Sequence, residues 1–154
     1  MKNNHNWTIF IDGASRNNPG LAGIGIVMQK DEEYVAHEAY FIGTKTNNQA
    51  EYLALLFALY LIRQYAHASD TVYICSDSEL LVKQFQGLYR IKNEGLKPLA
   101  VLAQQLAQPY TIHLAHIVRS ENKEADALAN KGIDFKIPLP NDFLNLLQKH
   151  HITL

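Results

Sequence analysis

The sequence predicts an α/β protein, a mixed five-stranded sheet with helices on both faces. Three observations predict it. Three strand-like runs come early, the first alternating apolar and polar residues, with a short polar turn between the second and third. A long helical stretch follows that is apolar on nearly every side. The rest of the chain alternates strand and helix patterns, as βαβ units do. With 154 residues, 47% of them apolar and 19% charged, the chain reads as one domain with a real core. That core is about residues 6–132, and residues 133–154 are a C-terminal extension.

The first strand is about Asn6 to Asp12, where Trp7, Ile9 and Ile11 alternate with Thr8, Phe10 and Asp12. The run stops at Gly13 and enters a loop rich in Ser, Asn, Pro and Gly. Asp12 therefore sits at the exit of a central strand, where open α/β sheets build their sites. An Asp-Gly pair also simply opens turns. The second strand is Gly23 to Gln29 and the third Tyr34 to Ile42; Lys30, Asp31 and Glu32 between them predict an antiparallel hairpin. Gly20, Gly23 and Gly25 allow a close backbone approach or a bulge.

Thr46-Asn47-Asn48-Gln49 has the form of a capping box and starts a helix that runs to about Tyr65. Ala50, Leu53, Ala54, Phe57 and Leu61 make this a buried central helix. Glu51 is a charge set among them, costly unless paired or bound to a cation. The other reading is a Glu at the exposed edge, favoured by the helix dipole. Thr71 to Cys75 has the continuous apolar character of a strand buried on both faces. Ser76 or Asp77 can cap the next helix, from Glu79 to about Phe85.

Gln86 to Pro98 is a polar break that interleaves Tyr89 with Arg90 and Lys92, a weak nucleic-acid signal beside the plainer reading of a solvated face. Leu99 to Ala107 is a helix ended by Pro109, and Tyr110 to Val118 a strand. His113 and His116 point to opposite faces of that strand, a poor metal pair, and read as half-buried strand residues. Arg119 leads through a short loop into a helix that carries Asp126 and stops at Gly132. Beyond Pro138 and Pro140, a short amphipathic segment around Phe143 to Leu147 packs on the body.

The net charge is −1, from 14 Lys and Arg against 15 Asp and Glu. Bulk charge neither marks a nucleic-acid binder nor excludes one, because cations at an acidic site add charge that the sum omits. Cys75 is the single cysteine, which points to a reducing, cytoplasmic setting. The N-terminal MKNNHNW is too polar for a signal peptide, and the apolar stretch Ala50 to Ile62 is too short to span a bilayer. No membrane contact is expected, and the chain is read as a monomer.

Asp12, Glu51, Asp77 and Asp126 each lie beside a strand end or helix start, at one edge of the predicted topology. Carboxylates converging without cations repel, and some are forced to stay protonated. Hard divalent cations remove the conflict, and an oxygen-only cluster suits Mg²⁺. Two such ions roughly 3.5–4 Å apart can activate a water and stabilise the leaving oxygen in phosphodiester hydrolysis.

The stretches IDGASRNNPG, TNNQAEYLAL, CSDSELL and ENKEADALAN resemble type 1 ribonuclease H, in that family's order and spacing, across Trp7 to Gly132. The resemblance implies a ribonuclease H-like fold and endonucleolytic hydrolysis of the RNA strand of RNA–DNA hybrids, leaving 5′-phosphate and 3′-hydroxyl ends. It implies two Mg²⁺ or Mn²⁺ ions on Asp12, Glu51, Asp77 and Asp126. It also implies that the Gly13, Ala14 and Ser15 backbone, Asn18, Asn48 and Gln49 hold the RNA strand, whose 2′-hydroxyl marks it as RNA. Double-stranded RNA stays open as a second substrate.

Three departures stand out. Gln86 to Pro98 is too short for the basic protrusion of many members, as in the compact branch of archaea and some bacteria, and this implies lower affinity. Many members carry a His on a flexible loop before the last carboxylate, and no His lies in the short loop before Asp126 here. Arg119 stands seven residues before it and His116 ten before it, so either is the candidate counterpart, and Arg119 can also merely cap the strand or pair with Glu121 or Glu124. Glu79 stands two residues after the third carboxylate, Asp77, where the family often has a Gln. A related 3′–5′ exonuclease would need an acid at Ala14. A binding module that had lost activity would lack a carboxylate, and a transposase would need further domains.

Overall fold

The computed structural model describes residues 4–154. Met1 to Asn3 of the polar N-terminal segment lie outside the described residues. Five strands, β1 (Asn6–Ser15), β2 (Gly20–Lys30), β3 (Glu33–Lys45), β4 (Thr71–Ser76) and β5 (Thr111–His116), form one sheet in the order β3-β2-β1-β4-β5. The first three pair antiparallel; β1–β4 and β4–β5 are parallel, so the sheet is mixed as expected. Asp31 and Glu32 make the hairpin turn, both left-handed with φ of 49° and 72°, the backbone that matches the twist of the flanking strands.

Trp7, Ile9 and Ile11 of β1 face α1 (Asn47–Tyr65). Thr46 caps that helix through the expected box: its hydroxyl accepts from the Gln49 N–H at 3.1 Å, and the Gln49 side chain accepts from the Thr46 N–H at 2.9 Å. The helix is apolar all round because it has packing partners on several sides. The sheet lies on one side and α3 (Lys97–Ala107) on another. Phe143 of α5 (Asn141–Lys149) meets Phe57 and Tyr60 at ring distances of 4.9 and 5.4 Å. The C-terminal extension thus closes the core over α1. Among the described residues, no helix is long and apolar enough to cross a membrane.

The opposite sheet face is covered by α4 (Lys123–Phe135), and only over β1 to β3. Helix and sheet approach so closely that a Cβ on Gly25 would run into the Ala125 carbonyl, and one on Gly132 into Tyr40. Gly132 therefore lies inside the helix as a packing residue. The terminator is Lys136, in the left-handed conformation with φ of 46°. The predicted burial of β4 on both faces is also corrected. Val72, Ile74 and Ser76 are buried, but Tyr73 is 43% exposed because α4 does not reach it. It stacks on His113 at 5.3 Å, and both His113 and His116 are exposed, not half-buried.

At the far end of the sheet from the acidic residues, Asp70 is buried and fully engaged. It accepts from the Trp7 indole at 2.9 Å, the His5 N–H at 3.0 Å and the His67 N–H at 2.9 Å. Burial pushes its pKa up, but these donors outweigh burial and hold it down at about 2. A depressed carboxylate stabilises above its unfolded pKa of 3.8 and loses that contribution as pH falls toward 2. Asp70→Ala should therefore cost about 3 kcal/mol or more at neutral pH, since hydrogen bonds to a charge are worth roughly 1.5–3 kcal/mol each. The penalty, read from urea midpoints, should shrink below about pH 3; an equal penalty at pH 2 and pH 7 would refute the account.

Candidate active site

Asp12 is not at the strand exit. β1 continues three residues to Ser15, and Asp12 pairs with Gly25 inside the sheet. Gly13, next along, faces α1 so closely that a Cβ there would strike the Ala50 carbonyl and the Glu51 nitrogen. This contact lets the Gly13 N–H donate to the Glu51 carboxylate at 2.5 Å. Gly25 makes the matching approach to Ala125, the neighbour of Asp126. Asp12 is thus held between two helices, one carrying Glu51 and the other Asp126.

Asp77 follows the end of β4. The cap of α2 (Glu79–Phe85) is Ser78, whose hydroxyl accepts from the Leu81 N–H at 3.2 Å, not Ser76 or Asp77. Asp77 is left free for the site. Oxygens of Asp12, Glu51 and Asp77 lie within 4.8 Å of one another. Asp126 faces the same cleft from the first turn of α4. The four carboxylates, the Gly13 to Ser15 strand, Asn47, Asn48, Ser78 and Arg119 line one cleft of about 470 Å³. His116 does not line it.

Asp12 is 5% exposed and Glu51 8%, so Glu51 is not at an exposed helix edge. Burial, then the Glu51 and Asp77 charges, push the Asp12 pKa up to about 9. Burial likewise raises Glu51 to about 8, with the Gly13 N–H working against it and the Asp77 and Asp126 charges adding to it. At neutral pH the bare cluster holds protons. A set of oxygens that close, each disfavouring the charge of the next, fits a hard divalent cation in place of those protons.

The predicted RNA contacts divide. Gly13, Ala14, Ser15 and Asn48 line the cleft. Gln49 is used as the helix cap and lines a neighbouring cavity with Lys45 and Gly95 instead. Asn18 does not line the cleft; its side chain accepts from the Asn47 N–H at 3.0 Å and ties the β1–β2 loop to α1. Asn47, absent from the sequence candidates, lines the cleft and accepts from the Ser15 N–H at 3.2 Å.

Asn122 was also missed. It is 1% exposed, and its Nδ2 donates to the Ile11 carbonyl at 2.8 Å. Among the described residues its Oδ1 has no partner, an arrangement that costs about 1–3 kcal/mol. The available signal was an Asn just before the helical run, four residues ahead of Asp126.

Residues 10–132 match the family described as reverse transcriptase-like. Ribonuclease HI of Halobacterium salinarum is 37% identical over 127 residues, which is 81% of this chain and 63% of that protein. The chain spans only 35% of each of three mycobacterial relatives that are 38% identical. A ribonuclease H of Neisseria meningitidis is 30% identical over 142 residues, 80% of this chain and 92% of its own length. Among solved structures, LC11-RNase H1 in complex with an RNA/DNA hybrid superposes with a TM-score of 0.80 at 34% identity, over 84% of this chain and 97% of that one. The family match runs through the strands and helices that bring the carboxylates together, and with these relatives the chain belongs to the type 1 ribonuclease H family.

Proposed function

We propose that this chain hydrolyses the RNA strand of RNA–DNA hybrids, leaving 5′-phosphate and 3′-hydroxyl ends. The observation that carries the reading is the crowding of Asp12, Glu51 and Asp77 at the floor of an open cleft, with Asp126 on its wall. These four residues would hold Mg²⁺ or Mn²⁺, two ions per site. When bound, the cations supply charge neutralisation at the scissile phosphate and an ionised water. The hybrid complex of LC11-RNase H1 supports the choice of substrate.

The chain's own residues bind and orient. Asn48, Asn47 and the Gly13 to Ser15 backbone offer donors and acceptors to the 2′-hydroxyls of successive ribonucleotides, which DNA lacks. The Gly13 N–H holds the Glu51 carboxylate toward the cleft. Arg119 reaches the same cleft with a permanently charged planar fork suited to a phosphate oxygen. It can stabilise developing negative charge but cannot shuttle a proton. We further propose a monomer acting in the cytoplasm, with double-stranded RNA as a secondary duplex to be assayed.

Asp12→Asn should abolish hybrid cleavage while circular dichroism stays native, as should EDTA on the parent protein. Cleavage at the parent rate by Asp12→Asn overturns the metal role. Arg119→Ala should lower kcat by roughly 10²-fold, the scale of losing one donor to transition-state charge, with Arg119→Lys recovering only part. Unchanged kcat and Tm in Arg119→Ala would leave it a surface residue. The raised pKa values give a readout that does not need turnover. The unfolded carboxylates ionise near their ordinary values while the folded ones hold protons up to about 9 and 8. The unfolded state therefore binds fewer protons, and the metal-free protein loses stability as pH rises between those limits. Its Tm should fall from pH 5 to pH 8, and Mg²⁺ should raise Tm more at pH 8 than at pH 5. A metal-free Tm that rises over that interval contradicts the assignment.

A further inference from the structure

We infer that Asn122 is a positioning residue that sets where Asp126 and Arg119 stand relative to Asp12; this rests on the hydrolytic reading above. The pairing of β1 with β4 ends at Ile11, opposite Ser76. There the Asn122 Nδ2 donates to the Ile11 carbonyl, one residue before Asp12. The main chain of Asn122 does the rest. Its N–H donates to the Arg119 carbonyl at 3.0 Å, closing the 3₁₀ turn Arg119–Glu121. Its carbonyl accepts from the Asp126 N–H at 3.1 Å, the first turn of α4. One buried residue thus touches the strand of Asp12, the turn of Arg119 and the helix turn of Asp126.

Two features separate this from ordinary capping. An Asn before a helix usually accepts from the second or third N–H of that helix, and this one makes no side-chain cap bond. Its backbone, with φ of −120° and ψ of 27°, is not the extended form that capping uses. The side chain reaches across to the sheet instead and leaves Oδ1 buried without a donor. Stability alone would favour a capping Asn or Ser on the surface. A buried group left half-satisfied calls for a reason beyond capping, and the contacts to the strand of Asp12, the turn of Arg119 and the turn of Asp126 supply one.

The test uses Asn122→Ala and Asn122→Ser on the whole protein. Ala removes the bond to Ile11 and the unpaired oxygen together, so the two effects on stability oppose each other. Expected results are a Tm within about 5 °C of the parent, hybrid KM within about twofold and kcat lower by at least tenfold, the scale of a displacement under about 1 Å. The Mg²⁺ affinity of the free protein, measured by calorimetry without substrate, should weaken at least threefold. Higher Mg²⁺ should then recover part of the lost rate. Ser keeps a hydroxyl donor and should lie between Ala and parent on both readouts. Parent-like kcat and Mg²⁺ affinity in folded Asn122→Ala overturn the proposal. So does failure of both variants to fold, which would make Asn122 a folding residue. An inactive parent protein is a different outcome, because it overturns the hydrolytic reading itself.

Discussion

The constraint this structure has to meet is a crowd of carboxylates, at Asp12 and Glu51 disfavoured in their charged form by burial first and by mutual repulsion after it. Asp12 and Glu51 are both nearly excluded from water, and Asp77 stands within the same few ångströms. Neither burial nor proximity favours the charged forms of Asp12 and Glu51, so the folded chain without cations keeps protons on those two. Something must hold the groups together against that tendency, and the surrounding packing does it. α1 is fixed by its capping box, by apolar contacts with the sheet and α3, and by the aromatic cluster of Phe57, Tyr60 and Phe143. The carboxylates are passengers on elements whose positions are decided elsewhere.

Glycine sets the tolerance of that arrangement. Gly13 lets β1 touch the first turn of α1, and Gly25 lets α4 sit down on β2. A methyl group at either position would push a carboxylate-bearing helix outward against a well-packed neighbour. The site depends on three surfaces meeting at backbone contact distance, with no side chain between them.

Most of the architecture was legible because its periods are clean. The alternation of Trp7 to Ile11 marked β1, and Thr46 with Gln49 marked the start of α1. What misled were residues with two available roles. Asp-Gly at 12–13 reads as a turn, yet the strand continues because Gly13 is needed for contact with α1. Gly132 reads as a helix stop, yet it lies within α4 against Tyr40. The apolar run of β4 reads as buried on both faces, but which face a helix covers is a tertiary fact, and α4 falls short of Tyr73. Of the site, the carboxylates were legible from their places beside strand ends and helix starts and from the four motifs that carry the family resemblance. Asn122 was not, since nothing local distinguishes an Asn that caps its own helix from one that bonds a strand far away in sequence. Gln49 shows a second role that the sequence also carried: its amide oxygen closes the capping box, while its side chain lines a cavity beside Lys45 and Gly95.

β1 sits at the centre of the sheet, with β2 on one side and β4 on the other. Its first partner follows almost at once in the chain, while the second arrives only after β3 and the whole of α1. Asp77 and Asp126 come later still. During synthesis the N-terminal three-stranded unit can pair before the rest exists, but no emerging fragment contains the acidic cleft. The cleft is complete only when α4 has cleared the ribosome and docked on Gly25. A growing chain translated beside its own messenger therefore carries no finished cleft until α4 has been made and has docked.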